Sequence, residues 1–343
     1  MRDLVVVGGG PVGLATALLA VRAGIDVEVR ERRPGVVDKA CGEGLMPGAV
    51  ALLAELGISP PGHRVDGIRY LAGDRSVDAP FTHGPGLGVR RTALHARLRE
   101  AIADAGVPVV ERGVHDVRPV PGGVDVDGER AGWVVAADGL HSTVRRGLGL
   151  DVPVRRGRRY GLRVHVPLAP WTSLVEVHWG HLGEAYVTPV ADDCVGVAVL
   201  TTRPGPFPEL LAAFPALADR LRGAALGRVL GAGPLRQRAR ARSAGRVLLV
   251  GDAAGYVDAL TGEGIAGGLA QAGLAVRCVA ADDPTSYEKE ARRLTRRHDL
   301  LTAGLLAVSR TPARRAVVPA ADLLPGVFRG IVDQLARPAG SAA

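Results

Sequence analysis

The sequence predicts an α/β protein: a domain built on a parallel sheet, interrupted by an inserted antiparallel β-sheet domain and followed by a helical tail. Three observations carry this. Residues 4–7 form a β-branched run that meets the glycine-rich turn GGGPVG and then an Ala/Leu-rich stretch. Beyond Leu150 come four short alternating runs, GLRVHVPL, SLVEVHWG, EAYVTPV and CVGVAVLTT, separated by turn residues. That is the pattern of an antiparallel sheet with one buried face. RVLLVGDAAG, at residues 246–255, then returns to the strand-plus-glycine style of the N-terminus, so the first domain is discontinuous.

The elements follow in order. After the opening strand, apolar spacing predicts a helix over residues 14–23 with Gly24 as its C-cap. Ile25, Val27 and Val29 then alternate with Asp26, Glu28 and Arg30 into a second strand ending at Glu31, which closes a βαβ unit. Residues 34–47, rich in Gly and Pro and carrying DKACGEGLMP, read as a loop able to wrap a ligand. A helix at residues 49–56 follows, and then a partly extended region to Gly88. RRTALHARLREAIADAG has helical spacing at Leu94, Leu98 and Ile102, after which VPVVERGVHDVRPV, VDVDGE and WVVAADG supply strand patterns punctuated by glycine turns. One helix near residues 210–221 follows the inserted sheet. From Thr285 the chain is helical and Arg-rich, cut by prolines at 312, 319 and 325. The resulting bounds are 1–155 for the first part of the discontinuous domain, with 60–88 able to join the sheet domain, 156–240 for the β-rich substrate domain, 241–284 for the return segment and 285–343 for the helical region. There is no internal repeat.

Composition narrows the function. With 343 residues, 47% hydrophobic and 23% charged, and a mean hydropathy of +0.15, the chain is a packed globular protein and not a disordered adaptor. No stretch approaches the roughly 18 to 20 apolar residues that cross a bilayer, and the opening run is too short and Gly-broken for a leader. A cytoplasmic protein is expected. The formal charge of +8 rests on 43 basic residues of which only Lys39 and Lys289 are lysine. Dispersed arginines with 3% aromatics lack the stacking platforms of a nucleic-acid surface, so no nucleic-acid partner is expected. An anionic cofactor or substrate accounts for the charge equally well. Cys41, Cys194 and Cys278 are widely spaced, with no C-x-x-C pair, and read as free thiols.

Three motifs carry chemistry. Gly8-x-Gly10-x-x-Gly13 follows a strand and opens a helix, and Glu31 ends the next strand. Its glycines suit a tight turn, close approach to a pyrophosphate and tight helix packing, the helix N-terminus attracts phosphate, and Glu31 suits a ribose diol. This is the fingerprint of a Rossmann-like fold for an adenine dinucleotide, and Arg32 joins Glu31 in the cofactor set. A second literal match, Gly262-x-Gly264-x-x-Gly267, lacks flanking strands and is no second nucleotide fold. The second motif is Gly251-Asp252 at a strand end, where the carboxylate suits a polyol and Ala253, Ala254 and Gly255 admit a flat ring. The helix opening near Gly264, with Gly262, aims its positive end at that ring. The third is AADGLHSTVRR, with Asp138 and Gly139 at a strand end and Arg145 downstream.

Together these motifs, spanning residues 4–268, resemble the FAD-dependent group that includes single-component aromatic hydroxylases and geranylgeranyl reductases. The resemblance implies FAD as cofactor and a FAD-binding domain of Rossmann type with an inserted antiparallel substrate domain. It also implies that Arg91 reaches the FAD, that Val114 places backbone near the adenine, and that Asp138 and Asp252 are the group's two acidic positions. The loop with Cys41 and Gly42 is implied to lie beside the flavin. KACGEGLMP and GDAAGYVDALTGEGI look more like the reductase branch. Yet where those reductases carry Trp-x-Phe-Pro, this chain has Tyr186-Val187-Thr188-Pro189. NAD(P)H is the implied electron donor. The favoured reaction is hydroxylation of an aromatic or polyketide-type small molecule through a C4a-hydroperoxyflavin, and the alternative is reduction of prenyl double bonds.

Single residues leave two readings open. Cys41 either tunes the flavin site or fills core space as an inert thiol. His165, His178, Tyr186 and Pro189 lie on predicted strands of the sheet domain and are candidates for a substrate pocket, against structural roles for each. The Arg-rich tail reads as a solvated helical face in preference to a peripheral membrane contact. The expected partner is a small-molecule substrate, a lipophilic one included.

Overall fold

The computed structural model describes residues 1–154, 157–309, 311, 314 and 316–336. The chain opens with β1 (Arg2–Val7), α1 (Pro11–Arg22), β2 (Val27–Arg30), the short β3 (Gly44–Leu45) and α2 (Pro47–Glu55). Next come β4 (His63–Val65), β5 (Gly67–Ala72), β6 (Arg75–Pro80), β7 (Gly86–Gly88) and α3 (Arg91–Asp104). Strands β8 (Val109–Val110), β9 (Val117–Val120), β10 (Gly123–Val126) and β11 (Glu129–Ala136) lead to α4 (Thr143–Gly147). The inserted sheet contributes β12 (Tyr160–Val166), β13 (Leu174–Trp179), β14 (Gly183–Ala191) and β15 (Cys194–Thr201), then α5 (Phe207–Leu211), α6 (Pro215–Arg220) and β16 (Leu230–Ala232). The chain returns through β17 (Ser243–Ala244), β18 (Val247–Leu249) and a 3₁₀ turn at Gly251–Ala254, and continues as α7 (Gly264–Ala280), α8 (Ser286–Ser309), α9 (Val317–Leu323) and α10 (Pro325–Ala336).

The first sheet runs in the order β17-β18-β11-β1-β2-β8, with β9 and β10 attached at β11. Strands β18, β11, β1, β2 and β8 are mutually parallel. Their β-branched and aliphatic runs are buried on both faces, by α1, α2, α3 and α7 on one side and by the β9–β10 hairpin and α4 on the other. The RVLLVGDAAG segment does come back beside the N-terminal strand, with β18 placed against β11 at Val134↔Val247.

The second sheet runs β16-β12-β15-β14-β13-β5-β6. It is mixed and not purely antiparallel as the alternating runs suggested, because β5 pairs parallel with β13, Tyr70 lying opposite Val177. Part of the stretch 60–88 thus enters this sheet, while β4 and β7 join β3 in a separate small sheet. Alternation sorts the second sheet's side chains. Val164, Val166, Ala185, Val187, Val195, Val197 and Val199 pack under α5 and α6, and the opposite face turns toward the first domain and the C-terminal helices.

Two helix expectations change. The single helix near 210–221 is two, α5 and α6, because Pro215 opens a new helix where a continuing one would need its N–H. Pro319 does not break the tail, since it sits in the first turn of α9, where the N–H has no partner to lose. Pro312 lies outside the described residues. Among the described residues no helix is long and apolar enough to cross a membrane, no His, Cys, Asp and Glu cluster suits a metal ion, and all three cysteines are free.

Candidate functional site

The glycine turn is shaped by two backbone collisions and one opening. Gly8 has φ +105°, and a Cβ there would stand 2.5 Å from the Ala137 carbonyl oxygen. At Gly13 a Cβ would stand 1.9 Å from the Gly8 oxygen, so α1 can follow β1 this closely only without a side chain. Gly10, the residue before α1, is different. Only the Arg91 Nη2 lies within 4 Å of its Cβ position, at 3.9 Å, which leaves a free approach to the first N–H groups of the helix.

Glu31 stands directly after β2 and is buried. Its Oε2 accepts from Gly9 N–H at 2.9 Å and its Oε1 from Arg33 N–H and Nε, both at 3.1 Å. Burial alone would raise the carboxyl, but these bonds outweigh it and hold it below the ordinary range. Arg33 is thus the arginine on Glu31, whereas Arg32 is exposed. Behind the turn His95, fully buried, accepts from Val37 N–H at Nδ1 (3.2 Å) and donates from Nε2 to the Gly9 carbonyl (2.7 Å). It joins the loop after β2 to the glycine turn, a role that its place inside a helical repeat gave no means to foresee.

Across the groove stand Asp138 and Asp252. Asp138 Oδ2 accepts from Thr143 N–H at 2.7 Å and Val144 N–H at 3.2 Å, and its buried Oδ1 has no hydrogen-bond partner. Arg145, fully buried, ties the two acidic segments: Nε pairs with Asp151 at 2.7 Å, and Nη1 donates to the carbonyls of Asp252 (3.2 Å) and Ala253 (3.0 Å). Burial raises the Asp252 carboxyl, and Lys39, Arg91 and Arg145 pull against that rise. Lys39, which the sequence argument quoted without assigning, enters the groove with its Nζ 3.7 Å from the Cβ position of Gly139. Burial and then the neighbouring Arg33 and Arg91 lower its pKa. Converging cations that depress one another mark a place for an anion. Val114 packs its side chain beneath the first sheet with Val5, Val7 and Val134. Gly262 has φ +70° and open space at its Cβ, and Gly264 opens α7 beside Tyr256. The half-buried Glu263 between them lies 2.6 Å from His298 Nδ1, pinning this turn to α8.

The loop from Asp38 to Gly44 lies against the second sheet. Thr188 donates its hydroxyl to the Gly42 carbonyl at 2.9 Å, which explains a polar residue in the Tyr-Val-Thr-Pro stretch. Burial pushes the Cys41 thiol up, so it stays protonated at neutral pH, and its Sγ accepts from Glu43 N–H at 3.4 Å. Alternation separates the four sheet candidates. His165 and Tyr186 face the groove side, His165 bonded to Glu43 at 2.7 Å and Tyr186 donating to the Leu260 carbonyl at 3.0 Å. His178 sits opposite Ala185, on the face under α5 and α6, and meets Glu176 at 3.3 Å. Pro189, two residues beyond Val187, falls on that same far face, and its carbonyl abuts Gly88. Neither His178 nor Pro189 joins the groove.

Beyond Met46 the groove-side face of the sheet carries an apolar strip beside the buried Arg159–Glu184 pair. Ile68, Tyr70, Val175, Val177, Trp179 and Tyr186 form a strip across β5, β13 and β14, roofed by Phe328 and Val332 of α10 and Val318 and Ala321 of α9. The Phe328 ring stacks edge-on against Tyr70 at 4.9 Å. At the strip's rim, the turns at Gly73 and His181 with Trp179 and Arg314 line a pocket of about 310 Å³.

A glycine turn open at Gly10, a ribose-type acid, a cationic centre and a second acidic wall define a dinucleotide-binding oxidoreductase of Rossmann type. The residues fit FAD: Arg91 Nη1 and Asp138 Oδ1 are buried without partners on the two sides of the groove, as polar atoms awaiting a bound group would be. Comparison with known proteins gives the same class. Residues 1–74 match the FAD binding domain family. The chain is 33% identical over 332 residues to menaquinone reductase of Mycolicibacterium smegmatis, covering 86% of this chain and 80% of that protein. It is 30% identical over 294 residues to the chloroplastic geranylgeranyl diphosphate reductase of Oryza sativa subsp. japonica, covering 76% and 62%. The fold superposes on p-nitrophenol 4-monooxygenase of Pseudomonas putida with a TM-score of 0.81 at 22% identity, over 98% of this chain and 96% of that one. The chain belongs to the superfamily of FAD-dependent oxidoreductases that contains these reductases and monooxygenases.

Proposed function

We propose that this flavoenzyme saturates a carbon–carbon double bond in the polyprenyl chain of a quinone-type lipid, with NAD(P)H as the electron donor. Of the two reactions the resemblance left open, this is the second, and the observation that carries it is the apolar strip. A hydroxylase of a polar ring needs donors and acceptors to orient that ring. Here the face beyond Met46 carries Ile68, Val175, Val177 and aromatic rings packed under α10, an apolar layer of the kind a long hydrocarbon would need, with its buried charges, Arg159 and Glu184, paired with one another. The 33% identity with menaquinone reductase supports the same substrate class.

FAD held in the groove and reduced by NAD(P)H would supply the hydride for one carbon of the double bond and return to its oxidised form, the other carbon taking a proton from the medium. The chain's own residues do the rest. Gly10 and the start of α1, with Arg91 and Lys39, would hold the pyrophosphate. Glu31 would hold the adenosine ribose, and Asp252 the ribityl chain. Thr188 holds the Cys41 loop against the sheet, while Tyr186 fixes the Leu260 segment. The C-terminal helices keep water off the strip.

The test is a product mass. Reduced enzyme incubated with a polyprenyl naphthoquinone should return, without oxygen taking part in the step, a product that stays heavier by two hydrogens after its ring has been reoxidised to the quinone. Val177→Phe, which fills the strip, should abolish turnover with FAD retained. A product that has gained an oxygen atom, or turnover undiminished in Val177→Phe, overturns the reading.

A further inference from the structure

Glu43 stands in the left-handed region, φ +61°, where an L-residue costs about 1 kcal/mol or more. Glycine would take this backbone without cost. The side chain must therefore supply what the backbone loses, and it is nearly inaccessible, 1% exposed.

Its carboxylate binds two segments. Oε1 accepts from Arg91 N–H at 2.8 Å, the first residue of α3, a helix with no side-chain cap of its own. Glu43 thus caps α3 from outside, at the positive end of the helix dipole. Oε2 lies 2.7 Å from His165 Nε2. Arg163 Nη1 lies 3.0 Å from the Nδ1 of the same ring, and because a guanidinium only donates, Nδ1 accepts and the ring proton sits on Nε2, aimed at Glu43. Arg163 Nη2 is anchored on Asp38 at 2.6 Å. The backbone of Glu43 completes the joint: its N–H points at the Cys41 sulfur and its carbonyl accepts from Val89 N–H at 2.8 Å.

We propose that Glu43 is a positioning residue for the flavin site. Its carboxylate sets Arg91, whose Nη1 is turned unpartnered into the cofactor groove, and by fixing the residue it also holds the backbone N–H that points at the Cys41 thiol. It takes its own bearing from His165 and Arg163 on the substrate sheet. The two domains are thereby registered to one another through one carboxylate. This inference rests on FAD occupying the groove and is independent of the polyprenyl reading, since its test uses no substrate.

The test compares FAD-loaded wild-type protein with Glu43→Gly and Glu43→Gln. Glu43→Gly relaxes the backbone while removing the carboxylate. Its melting temperature should stay within a few degrees of wild type, while FAD affinity falls about tenfold or more, the scale of one lost charge-assisted hydrogen bond, and the flavin reduction potential shifts. Glu43→Gln keeps an acceptor for Arg91 N–H but offers an amide donor to His165, so its losses should be smaller and in the same direction. Wild-type affinity and potential in Glu43→Gly would overturn the proposal. Should Glu43→Gly fail to fold, Glu43→Gln decides by the same two readouts. A wild-type protein that bound no FAD would instead refute the groove assignment itself.

Discussion

Gly10 and Gly13 belong to one turn, yet the backbone forbids a side chain at only one of them. At Gly13 an added methyl meets the Gly8 carbonyl at 1.9 Å, whereas at Gly10 it meets only the tip of the Arg91 side chain, at 3.9 Å. Gly13→Ala is therefore expected to lower the melting temperature sharply or prevent folding, and Gly10→Val to melt near wild type while failing to retain FAD. Thermal unfolding and flavin content on the two purified variants separate these outcomes. His95 makes a second residue-scale prediction. Burial lowers its pKa from 6.5, so the unfolded chain takes up the proton first. The stability it confers is complete above about pH 6.5 and drains away as pH falls below that value. Melting curves from pH 8 to about 5 should show a loss on the acid side that is shallower in His95→Gln, and equal slopes in the two proteins would remove His95 from this account. At this scale the placing of the glycine turn, Glu31, Asp138 and Asp252 at strand ends was legible, because it follows from the local strand pattern before each. Lys39, Glu43 and His95 were not, since their roles arise from distant partners, 48 and 122 positions away for Glu43 with Arg91 and with His165 and 86 away for His95 with Gly9.

The helices that roof the apolar strip depend on few anchors. Phe328 of α10 stacks on Tyr70, Val332 is buried beneath it, and Thr82 bonds Asp333 at 2.6 Å. Phe328→Ala removes the ring from a half-buried position and is expected to cost about 1 to 2 kcal/mol. That loss should be confined to the roof: hydrogen exchange should quicken in α9 and α10 while α1 and α7, locked where Gly268 meets Val12, keep wild-type protection. Uniform change across all four helices would show that the roof is not a separate unit. Periodicity revealed nearly every element here, because 2- and 3.6-residue repeats are local. It missed the break at Pro215 inside a continuous apolar run, and it put His178 and Tyr186 together although, with one on each side of the pleat, they face opposite ways.

The split of the first domain was visible as two stretches of similar style, but pairing was not. That β5 should lie parallel to β13 is set by packing over more than a hundred residues, which leaves no local trace. The parallel contact of β18 with β11 has a further consequence, in time. As the chain leaves the ribosome, the glycine turn and Glu31 emerge at once, and the wall bearing Asp252 only after the entire second sheet has been made. Until then the first sheet waits with the end of β11, at Val134 to Ala136, unpaired on the side that β18 will take, an exposed edge of the kind that invites misassembly. Such late, long-range closure makes for slow folding. A groove with both walls, Glu31 on one side and Asp252 on the other, can therefore exist only on chains whose inserted sheet is already synthesised.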